Sequence, residues 1–419
     1  SMTVKKKKKH RRYKLVWPKS EHKGPHRHIR KSVLIGFIVI VLGIAALITV
    51  PKIVDDSKLK GLGYDKTEIK AIRSLKLKDT ILDNKYYSDY LAQSLKDGTV
   101  NTDYLELYTV VSSDRGLSNQ DFLLYSRLAD KGYEPVQILN LFSKLRFWEI
   151  TPLLVFDYQY DETGYIKDCQ DHADTNSQDS FSLTKSYYTH YGTTLPVEDT
   201  GAVNMLVNKT YYLPETYEPP GLTDLSIQYA SEGRQLASVA ADALYTWADA
   251  GIAVGVRFYA ASAYRSYASQ ESIYNSYLSS MGQEQTDALS ARTGYSEHQT
   301  GYTVDIAAVG EDDKPEYKDT NAYVWTSNNC QDYGWILRYP EGKTSITGYE
   351  FESWHYRYLG VDLAKAVTDS KLTYDEYYCL YLKGWDDEAN KPSQAILNAT
   401  SYSYTAEPSA SPETTASAQ

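Results

Sequence analysis

Residues 296–307 read SEHQTGYTVDIA, and the second half of this stretch alternates in the way a β-strand does. Gly301 allows a turn between His298 and the strand. The apolar face of the strand consists of Tyr302, Val304 and Ile306, and the other face of Thr303, Asp305 and Ala307. The apolar face would pack on the core. Because a carboxylate in such a strand is costly to bury unless it is paired or bound to a metal, Asp305 is predicted to be functional.

A second short stretch, ESWH at residues 352–355, adds another imidazole and another carboxylate. His298, Asp305 and His355 offer three ligands for a metal that keeps an open position, which is the ligand set of a hydrolytic zinc ion. Glu352 lies three residues before His355, where it could receive a proton from water. The alternative is a buried hydrogen bond between His298 and Asp305, with Glu352 on the surface.

The segments around these stretches mix helical and strand patterns. Residues 227–250 and 269–278 have a helical period, whereas residues 253–258 and 303–307 alternate as strands. Helices and short strands in this order predict an α+β domain with a small, mainly antiparallel sheet flanked by helices. We place this domain at residues 204–385.

An apolar segment near the N-terminus predicts a membrane anchor. Residues 33–50 read VLIGFIVIVLGIAALITV and carry no charge. At about 1.5 Å per residue they span roughly 27 Å, close to the thickness of a hydrocarbon core. A cleaved signal peptide usually has a shorter apolar region, of about 7–15 residues, and a small-residue cleavage site. We therefore predict a transmembrane helix at residues 32–51.

The charge of the chain is divided unevenly across this segment. The formal net charge is −10, yet residues 1–31 hold 13 lysines and arginines against one acidic residue, so the remainder carries −22. The positive-inside rule predicts that the basic tail is cytoplasmic and that the rest of the chain is extracellular, as in a bacterial cell-membrane protein. Nucleic-acid binding by the basic tail would require the apolar segment to be a core helix, so we expect no nucleic-acid partner.

The remaining regions are assigned by their composition. Residues 55–160 are predicted to form an extracytoplasmic helical region, which would be a spacer or a wall- or partner-binding module, and residues 161–203 a linker or loops. Residues 393–419 are rich in Ser, Thr, Ala and Pro and are predicted to be disordered. Three cysteines do not make a disulfide scaffold, and the sequence leaves the pairing of Cys330 and Cys379 open.

The pattern S-x-H-x-x-G-x-x-x-D, followed about 50 residues later by E-x-W-H, resembles the VanY-type zinc D-alanyl-D-alanine carboxypeptidases, which trim peptidoglycan stem peptides. Further elements carry the same resemblance, and together they cover residues 204–385: VNK at 207–209, YRS at 264–266, YGWILRYP at 333–340 and WHYRY at 354–358. The resemblance implies a fold of the Hedgehog/DD-peptidase type.

The resemblance also implies roles for individual residues. It implies that His298, Asp305 and His355 bind Zn²⁺ and that Glu352 is the general base. Arg265 would polarise the scissile carbonyl or bind the substrate carboxylate, although it could instead form a salt bridge that holds a turn. The implied substrate-binding residues are Ser296, Gln270 and Ser266. The chain departs from the family pattern at Ala263, Thr293, Thr303 and Ser353, which affects neither ligands nor base.

These observations predict a membrane-anchored, extracytoplasmic zinc D,D-carboxypeptidase that removes C-terminal D-alanine from peptidoglycan stem peptides. Two alternatives are compatible with the same residues. One is an L,D-carboxypeptidase that acts on tetrapeptide stems, for which only the pocket would differ. The other is a cell-wall-binding protein on the same fold without catalytic activity, which would require a missing ligand or base. The predicted partners are stem peptides and the membrane.

Overall fold

A computed structural model of the protein describes residues 31–156, 162–171 and 191–383. The predicted basic tail (1–31) apart from its last residue, much of the predicted linker (161–203) and the predicted C-terminal tail (393–419) lie outside these ranges. The chain divides into two compact units, Ser1–Lys85 and Tyr86–Gln419.

The described part of the first unit is helical. It contains α1 (Lys31–Leu62), α2 (Lys66–Ser74) and α3 (Lys78–Asn84). Within α1, the segment Ile35–Leu62 is long and apolar enough to cross a membrane, and an 18-residue window in it has a mean hydropathy of 2.6. Its large apolar side chains as far as Val54 are exposed. By length and composition, α1 is consistent with a single-pass anchor and equally with a signal sequence.

The second unit begins with a group of helices, the last of which lies within residues 161–203, where the sequence predicts a linker or loops. They are α4 (Asp89–Asp97), α5 (Leu105–Val110), α6 (Asn119–Lys131), α7 (Pro135–Lys144), α8 (Phe147–Val155) and α9 (Glu162–Asp171). Every residue of α8 is buried, which is the condition of a helix that has neighbours on all sides. It packs against α6 and against two short helices of the C-terminal part, α14 (Thr344–Thr347) and α16 (Tyr374–Tyr377).

The C-terminal part of this unit alternates helices and short strands. Its helices are α10 (Ser238–Ala253), α11 (Tyr267–Met281), α12 (Gln283–Leu289), α13 (Asn321–Asn329), α14 (Thr344–Thr347), α15 (Val361–Ser370) and α16 (Tyr374–Tyr377). Its strands are β1 (Leu195–Pro196), β2 (Tyr211–Tyr212), β3 (Leu222–Asp224), β4 (Gln235–Ala237), β5 (Phe258–Ser262), β6 (Thr303–Ala308), β7 (Trp335–Leu337) and β8 (His355–Tyr358).

The sheets confirm the predicted α+β class. The four-stranded sheet has the order β5-β6-β8-β7 and is antiparallel throughout. Two smaller two-stranded sheets accompany it among the described residues, with β1 and β2 parallel and β3 and β4 antiparallel. Because β6 and β8 are the central strands, each has both edges paired. The register between them, including the pair Asp305 and His355, is therefore fixed by hydrogen bonds on both sides.

One predicted strand is displaced along the chain. The sequence pattern places a strand at residues 253–258, but α10 continues to Ala253 and the strand β5 begins only at Phe258. The predicted helix at 227–250 is shifted in the same direction. The intervening turn uses Gly255 at φ +82°, a conformation that favours glycine. Extended structure starts where a pairing partner is available, and Phe258 is the first residue to pair with β6, opposite Ala308.

The core lies between α10 and one face of the four-stranded sheet. Trp247 of α10 is fully buried and contacts Trp335, Phe258 and Tyr356, with ring centroids 5.7, 4.7 and 5.1 Å away. The predicted apolar face of β6 belongs to the same cluster. Since one face of β6 is committed to the core, its other face carries Asp305 away from it.

The three cysteines all lie in the described ranges. Cys169, Cys330 and Cys379 are buried free thiols, so Cys330 and Cys379 are not bonded to each other. The fold is therefore stabilised by packing and by polar contacts rather than by a disulfide.

Candidate active site

Two neighbouring strands bring the predicted ligands together. β6 and β8 pair so that Asp305 lies directly opposite His355. His298 belongs to the 3₁₀ turn Glu297–Thr300 immediately before β6. Its Nε2 lies 3.2 Å from Asp305 Oδ2, and His355 Nδ1 lies 3.1 Å from Asp305 Oδ1. One ligand atom from each of the three residues lies within 4.8 Å of the other two, so a single ion could contact all three.

The outer nitrogens of the two imidazoles are hydrogen-bonded away from Asp305, so the inner nitrogens are the ones turned towards it. His298 donates from Nδ1 to the carbonyl oxygen of Ala263 at 2.7 Å, which leaves the lone pair on Nε2. His355 Nε2 lies 3.4 Å from Glu297 Oε2, so a neutral ring that donates from Nε2 has its lone pair on Nδ1. Asp305 Oδ1, facing that nitrogen, receives no hydrogen bond from the described residues. Two acceptors that face each other are satisfied by a cation, so these residues fit a metal ion.

Arg265 places a positive charge at the same carboxylate. Its Nη2 lies 3.0 Å from Asp305 Oδ2 and 3.2 Å from His298 Nε2. Gln270 accepts a bond from Arg265 Nη1 at 3.0 Å and donates to the carbonyl oxygen of Ala291 at 2.8 Å. Gln270 thus holds the guanidinium at the edge of the cleft. Arg265 thus forms a salt bridge, and its partner is the predicted ligand Asp305.

Glu352 lies in the loop before β8 with its carboxyl group turned towards the ligands. Its Oε2 is 3.3 Å from His355 Nδ1, and the side chain is 13% exposed. Burial raises the pKa of Glu352 to about 7; the charge of Asp305 acts in the same direction, whereas His355 and Arg265 oppose the rise. A carboxyl group that titrates near neutral pH can accept a proton and return it.

The two serines among the predicted substrate-binding residues take different positions. Ser296 is buried, lines the cleft, and accepts a hydrogen bond from the backbone N–H of His298 at 3.3 Å. Ser266 caps the N-terminus of α11 by accepting a bond from the N–H of Ser269 at 3.1 Å. The residues that line the cleft include Ser296, Gln270 and Arg265 but not Ser266. The roles of all three in substrate binding remain predictions.

The ligands form the floor of a cleft of about 310 Å³. Its walls are partly apolar and aromatic, formed by Ile273, Tyr277, Leu289, Ala291, Tyr339, Tyr349 and Trp354. Trp354 is 40% exposed, so it stands at the rim. A cleft with apolar walls and a few charged groups at its base is typical of a site for a small ligand or a peptide end.

The structure adds a buried ionic cluster that the sequence patterns did not single out. Glu297, next to His298, accepts bonds from Arg338 Nε at 2.7 Å and Arg357 Nη1 at 3.0 Å. Burial would raise the pKa of Glu297, but the two guanidinium groups outweigh it and hold that pKa well below its usual range. Arg338 also contacts Asp375 of α16. The available signal was the position of the two arginines, since Arg357 lies within β8 and Arg338 directly follows β7.

A glycine between the ligands is needed for the turn into β6. Gly301 has φ +76°, and a Cβ there would lie 2.8 Å from Pro219 Cγ. We expect Gly301→Ala to lower the free energy of unfolding by about 1–2 kcal/mol for the left-handed backbone and about 1–3 kcal/mol more for the clash. Gly310→Ala is the control, since Gly310 has φ +79° with no atom within 4 Å. Equal losses for the two variants in denaturant unfolding would show that the contact with Pro219 is unimportant.

Comparison with known proteins points to one family. Residues 233–361 match the family model for VanY, D-alanyl-D-alanine carboxypeptidase. YodJ, a putative carboxypeptidase of Bacillus subtilis, is 36% identical over 214 residues, which cover 49% of this chain and 78% of that protein. VanXYC, a bifunctional D-Ala-D-Ala dipeptidase and carboxypeptidase of Enterococcus gallinarum, is 30% identical over 186 residues, which cover 41% of this chain and 92% of that protein.

Among solved structures, the LdcB LD-carboxypeptidase is 35% identical, with a TM-score of 0.42 over 44% of this chain and 89% of that one. The resemblance inferred from the motifs is confirmed by the family model and by the relatives, which the chain covers over most of their length. The chain belongs to the VanY family of D-alanyl-D-alanine carboxypeptidases.

Proposed function

We propose that the protein is a membrane-anchored zinc D,D-carboxypeptidase that removes the C-terminal D-alanine of peptidoglycan stem peptides outside the cell. The observation that carries this proposal is the convergence of His298, Asp305 and His355 within 4.8 Å at the base of one cleft. Family membership supports the carboxypeptidase activity, and the length and composition of α1 are compatible with anchoring. The metal, the D,D preference and the topology are the finer parts of the proposal.

The ligand set favours zinc. Imidazole nitrogens and carboxylate oxygens are both used by zinc, and three such protein ligands with an open position are typical of catalytic rather than structural zinc. A bound zinc ion would supply a Lewis acid that activates water and polarises the scissile carbonyl. The residues that would hold it are His298 through Nε2, Asp305, and His355 through Nδ1.

Glu352 and Arg265 would perform the remaining chemistry. Glu352 faces the ligand atoms, so it can take a proton from the attacking water and then deliver it to the departing amine of D-alanine. Arg265 presents a guanidinium group at the same place, where it can bind the terminal carboxylate of the peptide or stabilise the developing oxyanion. Gln270 keeps that group in position. No ligand and no base is replaced, which disfavours a wall-binding protein without activity.

The proposed location outside the membrane suits a peptidoglycan substrate. With α1 in the membrane and the basic tail in the cytoplasm, the second unit would face the cell wall. The substrate is an immobile polymer beside the membrane, so an anchored enzyme stays close to it. Treatment of intact cells with a protease tests the topology, because the second unit should be degraded while the basic tail is protected.

The activity is tested with the full chain in detergent. We expect release of D-alanine from a pentapeptide stem, its loss on treatment with a chelator, and its return when zinc is added. The tetrapeptide stem is the comparison substrate, since faster release from it would replace the D,D assignment by the L,D alternative. No chelator-sensitive release from either stem would reject the proposed function.

A further inference from the structure

Glu297 precedes the predicted zinc ligand His298 in the sequence, but its side chain contacts the other predicted histidine ligand, His355. It is the first residue of the 3₁₀ turn that carries His298. Its Oε2 lies 3.4 Å from Nε2 of His355, on the side of that ring turned away from Asp305. The carboxylate therefore supports the predicted ligand of the neighbouring strand β8, whose own residues, His355–Tyr358, include no carboxylate.

Two arginines hold this carboxylate in one orientation. Arg338 Nε and Arg357 Nη1 both donate to Glu297 Oε1, which leaves Oε2 for His355. Both guanidinium groups are fully buried and are anchored elsewhere. Arg357 Nη2 donates to the carbonyl oxygen of Met205 at 2.8 Å, and Arg338 Nη1 donates to Asp375 Oδ2 at 2.5 Å. Because the arginines are fixed at both ends, the direction of the Glu297 side chain is fixed as well.

We infer that Glu297 is a positioning residue that sets the tautomer and ring orientation of His355, so that Nδ1 rather than Nε2 faces the metal. This inference rests on the proposed zinc site. A carboxylate behind a ligating imidazole fixes its tautomer and increases its basicity as a ligand. His298 has a backbone carbonyl in that place, so the two histidines bind through different nitrogens and only His355 depends on an ionised side chain.

The chain offers a matched pair of variants that separates positioning from stability. Glu297→Gln and Asp375→Asn each remove one negative charge from the same Arg338, but only Glu297 contacts His355. We expect Glu297→Gln to weaken zinc binding by about 10- to 100-fold in competition with a chromophoric chelator. Asp375→Asn should change the zinc dissociation constant by less than about threefold, even where the two variants lose similar stability.

The zinc dissociation constants of the two variants distinguish a positioning role of Glu297 from a purely stabilising one. Equal weakening in both variants, or none in Glu297→Gln, would overturn the inference and assign Glu297 to stability alone. Absence of zinc binding by the unaltered protein would instead reject the proposed function. The failure of one claim is thus distinguishable from the failure of the other.

A second readout needs no variant. In zinc-loaded protein labelled with ¹⁵N, we expect a protected N–H proton on Nε2 of His355 and a metal-shifted resonance for its Nδ1. For His298 the assignment should be reversed, with the proton on Nδ1. A metal-shifted Nε2 in His355 would contradict the inference even if Glu297→Gln did not fold.

Discussion

Glu352→Gln is expected to lower the rate of D-alanine release by about 10²- to 10⁴-fold, which is the usual contribution of a general acid–base group. The amide has the shape of the carboxyl group but cannot accept the proton of the attacking water. Because none of the three predicted ligands is altered, the variant should bind zinc as the unaltered protein does. The loss should appear in kcat rather than in KM, since the group acts in the transition state.

Glu350→Gln is the control for this prediction. Glu350 lies two residues earlier in the same loop, is exposed, and does not line the cleft. The same loss of charge there should leave the rate within about twofold, as surface substitutions usually have small effects. A Glu352→Gln protein with a full complement of zinc and an undiminished rate would rule out Glu352 as the base.

Arg338→Met is expected to cost about 3–5 kcal/mol in the free energy of unfolding. Arg338 is fully buried and binds two carboxylates, Glu297 at 2.7 Å and Asp375 at 2.5 Å. Removing the cation leaves Asp375 with Asn208 and leaves Glu297 with fewer positive partners in a region from which water is excluded. Uncompensated buried charge is far more destabilising than the loss of the hydrogen bonds alone.

The effect is measured as the shift of the guanidinium unfolding midpoint of the zinc-free protein, so that metal binding does not contribute. Arg257→Met serves as the control because Arg257 is exposed, and it should change the free energy of unfolding by less than about 0.5 kcal/mol. Similar midpoints for the two variants would mean that the buried cluster contributes little to stability and that Glu297 and Asp375 find other partners.

Several features of the site could be predicted because they are local in the sequence. The alternation from Tyr302 to Ile306 identified β6 and the face that carries Asp305, and the order of short helices and strands identified the α+β class. The histidines and Glu352 were recognisable as chemical groups at suitable spacing. These signals depend on side-chain periodicity and on the turn at Gly301, which neighbouring residues determine.

Other features required the folded chain. The alternation at residues 253–258 is as regular as that of a strand, yet the strand begins at Phe258, where β6 becomes available for pairing. Gln270 lines the cleft, so its predicted contact with substrate stays a prediction, but the sequence did not show that its hydrogen bonds go to Arg265 and to the Ser290–Ala291 segment. A sequence pattern shows which groups are present, whereas it does not show which partner satisfies each of them.

The sequence by itself thus determined the chemical groups of the site, the strand that presents Asp305 and the apolar segment of α1. Only the tertiary structure decided that Asp305 stands opposite His355 and that Glu297 lies behind His355 rather than behind its neighbour His298. The physical reason is that these contacts join residues far apart in the chain. They arise from strand register and from the burial of charges with their partners, and both depend on the whole fold rather than on any local pattern.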